Sequence, residues 1–515
     1  MLSERIAVRY AVTLSVNVAR SVLGFLSGLI VAKALGAASY GSFSFLLASF
    51  GAASQLLEMG TSSAFYTFLS GRPRGRTFLL AYGGWLVLQF TVSAVVVAAV
   101  LPARLVDELW LGHTRPLILA ALVTSFVTAQ VWPALVQLAE AQRKTVRIQI
   151  ASMLQAVVHL LAVLTFQSMG WLTVSTNFAL LVGEYGLLAI VIGPWLFAAN
   201  TAADSREELR DVIAEFRVYC TPLVAYGAVS FAYTFVDRWW LQRFGGASEQ
   251  GYFAIGQQMS ALSLLATTSV LRVFWKEIAA ARARGDMDAV RLLFRRVSRS
   301  LYFVGAWLSA LLIPFSGQIL AWTVGSDFSA ARFCLILMLL YPVHQALGQI
   351  QGTLLYATGE TTVYTRLGIS GMLISIPVAY FFLAPSAGRL PGLGLGAVGL
   401  AAKLVVVQVL MVNIQQFVIA RRNGWRFDGG HQLAALAAVL AISFGCRFVV
   451  AGLLPPGLPR PDIAQFVVTS ILYVLLTACL LWRAPQMIGL ERNEAGRMAS
   501  SALRLLKTKF AHSTP

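Results

Sequence analysis

Fourteen apolar stretches, separated by short polar gaps, run along this chain at approximately residues 12–34, 42–69, 78–101, 117–140, 148–168, 172–198, 218–241, 252–275, 300–324, 333–357, 363–385, 395–420, 432–453 and 464–482. A helical residue rises about 1.5 Å, so about 20 apolar residues cross a hydrocarbon core roughly 30 Å thick. The pattern predicts an all-α polytopic membrane protein with about 14 transmembrane helices. The longest polar stretches, 199–217, 276–299 and a tail from 486 to 515, leave no room for a catalytic domain.

The gaps then give orientation. Twenty-nine of the 40 Lys and Arg fall on the side of the N-terminus and the even-numbered gaps. They include Arg5 and Arg9, the Arg72/Arg74/Arg76 loop, Arg143, Lys144 and Arg147, the run from Arg272 to Arg299, and Arg421, Arg422 and Arg426. Eight face the opposite way, and Arg20, Lys403 and Arg447 lie inside spans. Positive loops resist translocation, so both termini are expected in the cytoplasm, with the chain in a bacterial inner membrane. The net charge of +18 is thus a topology signal. Split among short loops with no basic soluble domain, it does not point to nucleic acid.

Composition removes other classes. At 58% hydrophobic and 12% charged residues, the chain cannot be a soluble enzyme on one anchor. Cys220, Cys334, Cys446 and Cys479 form no CxxC pair and sit in or beside apolar spans, where they read as small hydrophobes. The first apolar run is too long for a signal-peptide core and reads as a retained helix.

The chain also carries a weak internal repeat. After the first span it reads Ala32-Lys33-Ala34-Leu35-Gly36, then Tyr40-Gly41; after the seventh it reads Leu241-Gln242-Arg243-Phe244-Gly245, then Gly251-Tyr252. The offset is about 209 residues with one insertion. Both segments come after a helix that starts in the cytoplasm, so the repeat is expected to be parallel, as in two-lobed transporters. It divides the chain into an N-lobe (1–200), a C-lobe (201–425), an extra helix pair (426–485) and a tail.

At these residues the chain resembles a known family. The run Asn17-x-x-Arg20-x-x-Leu23-x-Phe25, with Ala32-Lys33-x-Leu35-Gly36 and Tyr40-Gly41, is similar to the opening signature of polysaccharide flippases. These belong to the superfamily that also holds multidrug (MATE) exporters and lipid II flippases. Asp237-Arg238, Phe244-Gly245 and Gly251-Tyr252 resemble the second-lobe signature. Lipid II flippases place Arg directly before Val-Leu-Gly-Phe, whereas Ser21 here separates Arg20 from Val22-Leu23-Gly24-Phe25. The departure points to the O-unit or exopolysaccharide branch. The resemblance implies transport of undecaprenyl-pyrophosphate-linked oligosaccharides between leaflets by alternating access. Implied partners are that glycan, membrane lipid, a coupling ion (H+ or Na+) and a polysaccharide polymerase.

Such a transporter breaks no bond, so no catalytic residues, cofactor or metal are expected, and no GxxxxGK[ST] phosphate loop is present. Its chemistry needs positive charge for a pyrophosphate and polar groups for sugars. Ionisable residues inside spans are expensive and become the candidates. Arg20, nine residues into the first span, and Asn17, one turn before it, are expected to bind the anion, joined by Lys403 in the twelfth span. Glu58 and Glu184 are the ion-coupling candidates, each with the alternative of a buried pair with an Arg. His159 and His344 read as satisfied core histidines, and Arg447 as a packing or snorkelling residue. A cation-coupled multidrug antiporter is the competing transporter, although its substrates would favour acids where this chain carries Arg20 and Lys403. A polymerase or ligase would need a large outward loop, and the longest here spans only about 102–116.

Overall fold

The computed structural model describes residues 2–198, 207–261, 263, 265–388, 390–455 and 460–490. Arg206, Arg389 and the tail beyond residue 490 lie outside the described residues, as do the side chains of Arg5, Arg9 and Arg272. Every regular element among the described residues is helical. In lipid this is dictated by the backbone, whose N–H and C=O groups must pair within their own segment.

Among the described residues, twelve helices are long and apolar enough to span a membrane, against fourteen expected stretches. The difference has two local causes. The first stretch and the second as far as Glu58 lie in one helical run, α1 (Leu2–Glu58), bent at Gly36 (φ 73°, ψ 169°). The eighth stretch falls across two shorter helices, α10 (Ala247–Ala261) and α11 (Leu265–Ala283).

The chain packs into two compact units that are interleaved in sequence. The first comprises 1–255, 323–331 and 372–400. It holds α1, α2 (Thr61–Gly71), α3 (Arg76–Val95), α4 (Ala103–Trp110), α5 (Arg115–Phe126), α6 (Trp132–Ala141), α7 (Thr145–Ser168), α8 (Val174–Ala198), α9 (Leu209–Gly245) and the start of α10. One aromatic core stacks Phe65 on Tyr82 with centroids 3.9 Å apart and brings Phe78 to Phe216 at 5.5 Å. Another packs Phe45, Phe50, Trp110 and Phe178. Trp195, near the end of α8, carries Lys144 at 4.3 Å and Arg147 at 5.6 Å over its ring. Basic residues on a span-end tryptophan suit an interfacial anchor.

The second unit comprises 256–322, 332–371 and 401–515. It holds α11, α12 (Met287–Leu312), α13 (Ser316–Thr323) apart from its final residue, α14 (Arg332–Ala357), the start of α15 (Thr361–Leu383), most of α16 (Gly396–Asn423), α17 (Gly429–Leu453) and α18 (Pro461–Arg483). Its core gathers Phe274, Tyr302, Ile350, Val439 and Tyr473. Here the Tyr473 hydroxyl donates to the Trp307 carbonyl at 3.0 Å, and the Trp307 indole donates to Thr477 Oγ1 at 3.0 Å.

The two glycine-rich segments read as a repeat meet inside the first unit. Gly246 (φ 84°, ψ −178°) repeats the backbone of Gly36. A Cβ on Gly41 would fall on the carbonyl oxygen of Ala247, and one on Gly251 on the carbonyl oxygen of Ala37. The contact is reciprocal, pairing Ala37 with Ala247 and Gly41 with Gly251 as equivalents. Only glycine permits such an approach, as at small-residue helix crossings in membranes. Gly41→Ala or Gly251→Ala is therefore expected to force the helices apart and destabilise the fold by about 2–3 kcal/mol, as overpacking does. Thermal unfolding of purified protein in detergent checks this; an unchanged midpoint in both variants would refute the close crossing.

Candidate functional site

A polar stripe runs along α7. Gln149, Ser152, Gln155 and His159 recur at three- and four-residue intervals and so share one face. Gln149, Ser152 and Gln155 are buried, and the His159 side chain is 14% exposed. The stripe's end meets α8. Glu184 accepts a hydrogen bond from Gln155 Nε2 at 3.0 Å, and His159 Nδ1 lies 3.1 Å from the Glu184 carboxylate oxygens. A carboxylate in an apolar bundle is costly alone, and this pair of partners offsets its desolvation. The next residue, Tyr185, lies within Coulombic reach of both Arg20 and Glu184 and packs edge-on against Trp132 at 5.9 Å.

The structure thus brings two of the expected residues, Arg20 and Glu184, to one neighbourhood where α1, α7 and α8 pack together. Arg20 is half-buried and has no ion pair among the described residues. Asn17, also half-buried, forms no hydrogen bond there. Glu58 stands elsewhere, at the end of α1, where Met59 (φ 47°) and Gly60 (φ 81°) break the helix. It acts electrostatically on Tyr82. Lys403 is fully buried in α16, within the second unit. Glu184 is paired with a histidine rather than an arginine, which gives His159 a defined partner. His344 contacts the Tyr302 hydroxyl at 3.5 Å and the Leu340 carbonyl at 3.3 Å. Arg447 lies over the Phe315 ring at 4.8 Å.

Sequence reasoning missed a second polar group in the first unit. A cavity of about 170 Å³ is lined by Ser54, Gln89, Ser93, Ser125 and Gln130, with Phe50 and Trp110 stacked at 5.7 Å on its wall. Two π-helical turns, Val96–Val100 and Val127–Val131, reach it. Each π turn inserts one residue into the helical ladder and rotates the side chains beyond it; Gln130 lies within the second. Gln130 Nε2 donates to Ser54 Oγ at 3.1 Å, while both side-chain polar atoms of buried Gln89 find no partner among the described residues. The lining carries no charge and is otherwise apolar, from Leu57, Phe90, Leu122 and Phe126 among others, so the three serines and two glutamines are its hydrogen-bonding groups, suited to water or to hydroxyls.

No protein-family model matches the chain, and no curated protein matches it in sequence. Among solved structures, the lipid II flippase MurJ in an inward closed conformation superposes with a TM-score of 0.67 at 14% identity, covering 91% of this chain and 98% of that one. The chain shares the fold of this flippase. An inward-facing multidrug resistance MATE family transporter of the MOP superfamily superposes with a TM-score of 0.57 at 16% identity, covering 80% of this chain and 98% of that one. An outward-facing MATE transporter gives 0.54 at 15%, with 82% and 95% covered. At these identities the likeness is one of fold.

Proposed function

We propose that the chain is a flippase that moves undecaprenyl-pyrophosphate-linked oligosaccharide units from the cytoplasmic to the periplasmic leaflet by alternating access. The observation that carries this reading is Arg20, a cation inside an apolar span with no carboxylate partner among the described residues. A charge kept there at a penalty of about 2.5–3.5 kcal/mol is best explained by an anionic ligand. The fold shared with a lipid II flippase over 91% of the chain supports a lipid-linked substrate. Tyr185 and Asn17 would add hydrogen bonds beside the anion, and Lys403 is a second candidate cation, to be tested separately.

Glu184 is proposed to couple transport to an ion. Its carboxylate is held by Gln155 and His159, so gain of a proton would rearrange a small network rather than a lone side chain. Glu58 is the alternative coupling acid. Glu184→Gln is expected to abolish surface polysaccharide at wild-type protein level. Normal export in Glu184→Gln, Glu58→Gln and the double variant would make both acids structural.

Depleting the protein in its host tests the whole reading. Lipid-linked oligosaccharide should build up on the cytoplasmic leaflet. Unchanged levels, together with new sensitivity to organic cations, would favour instead a cation-coupled antiporter of the MATE kind, which shares the fold.

A further inference from the structure

The second unit contains a basic cavity that the proposed transport function does not use. It has a volume of about 250 Å³ and lies where α12, the end of α16 and the start of α17 converge. Arg291, Arg295, Ser298 and Arg299 reach it from one face of α12, at spacings of four, three and one. Arg426 enters from the loop between α16 and α17.

One of these arginines is fixed in place. Arg299 Nε and Nη2 donate to the two oxygens of Asp428 at 2.7 and 2.8 Å, and its Nη1 donates to the Gln486 carbonyl at 3.1 Å. Arg291, Arg295 and Arg426 have no carboxylate partner among the described residues. With Asp428 the only acid in the lining, the cavity carries an excess of three positive charges. Ser298, nine-tenths buried, lines the cavity, and its Oγ finds no hydrogen-bond partner among the described residues. Asp428 also occupies the N-cap position of α17, yet makes no side-chain cap there because its carboxylate is committed to Arg299. The first N–H groups of that helix, at Gly429 and Gly430, receive no cap from Asp428, and the N-cap residue in the lining sets the positive end of a 25-residue helix beside the cavity.

Guanidinium forks, a hydroxyl donor and an uncapped helix N-terminus are together the recognition chemistry of a phosphate group. We infer that this cavity, in the second unit, binds a phosphate-bearing ligand between the basic N-terminal half of α12 and the N-terminus of α17. Its surroundings suit headgroup depth in a bilayer. Trp425 packs on Phe294 at 5.8 Å beside the arginines, Phe427 on the rim is 47% exposed, and α12 continues from the cavity into a membrane-spanning segment. A phospholipid headgroup and a soluble phosphate would present the same group.

The test uses the full-length protein in detergent, with Arg291→Gln, Arg295→Gln and Arg426→Gln combined. These side chains are exposed and unpaired, so the fold should tolerate their loss. The control combines Lys276→Gln, Arg282→Gln and Arg284→Gln, which removes equal charge outside the cavity. Thermal shift and native mass spectrometry are read with short-chain phosphatidylglycerol, and separately with inorganic phosphate. The wild type and the control should bind one of these probes at least about tenfold more tightly than the cavity variant, the loss expected when charge-assisted contacts are removed. Binding of phosphatidylglycerol that millimolar phosphate does not displace identifies a lipid headgroup. A shift with inorganic phosphate alone identifies a soluble phosphate. Equal affinity in the cavity variant and control, or no binding of either probe by the wild type, overturns the proposal.

Discussion

Replacing Arg20 with alanine should leave lipid-linked oligosaccharide stranded on the cytoplasmic leaflet, at a clearance rate roughly ten to a hundred times below wild type. That range corresponds to losing one hydrogen bond to a charged group, about 1.5–3 kcal/mol, at 1.4 kcal/mol per tenfold. Arg20 has no ion pair among the described residues, so its removal exposes no buried carboxylate and the fold should survive. Arg20→Lys should keep part of the rate, because a lysine retains the point charge while losing the fork. The measurement is leaflet-resolved lipid-linked oligosaccharide in cells with matched protein levels, with Lys403→Ala assayed in parallel. Normal clearance by Arg20→Ala would remove this arginine from the transport path.

Replacing Arg74 with alanine should destabilise the protein by about 2 kcal/mol without acting on any ligand. Arg74 sits in the short loop between α2 and α3 and is only 4% exposed. Its Nη1 donates to Glu207 at 3.0 Å and its Nη2 to Glu215 at 2.5 Å, while Phe68 and Phe78 lie under the guanidinium at 5.2 and 4.7 Å. Removing it takes the 3.0 Å partner from Glu207, whose side chain is only 15% exposed, and leaves Arg72 to hold Glu215 at 2.7 Å and Glu207 at 3.7 Å. The estimate stays below the roughly 3–5 kcal/mol of a fully broken buried pair because Arg72 still reaches both carboxylates and the Glu215 side chain is 36% exposed and partly screened by solvent. Unfolding monitored by intrinsic fluorescence in detergent checks it. Adding Arg72→Ala to Arg74→Ala should deepen the loss, because it removes the remaining cation from both carboxylates, whereas a shift under about 0.5 kcal/mol for Arg74→Ala would make this an ordinary surface pair.

The helical class was legible because the bilayer leaves almost no alternative: a long apolar run must pair its own backbone, and only a helix does so within one segment. The Gly36, Gly41 and Gly251 positions were legible for a related reason, since glycine recurring at matched places marks backbone that a side chain would obstruct. Other features depended on partners distant along the chain. Arg74 looked like one more topology charge, and only the approach of Glu207 and Glu215, more than 130 residues later, makes it a buried anchor. His159 looked like a lone core histidine until α8 placed Glu184 beside it. Gln89 and Gln130 gave no signal at all, because a polar residue in an apolar helix acquires meaning only from the groups that face it.

The sequence by itself determined that this is a helical membrane protein, where its apolar runs lie, and which charges sit inside them. Those properties arise from local hydrophobicity and backbone hydrogen bonding, which each segment carries on its own. The tertiary structure alone decided how α1 bends at Gly36, which helix faces meet, and which buried charges are paired. Pairing is a property of distance between side chains, and no single segment of the chain encodes it.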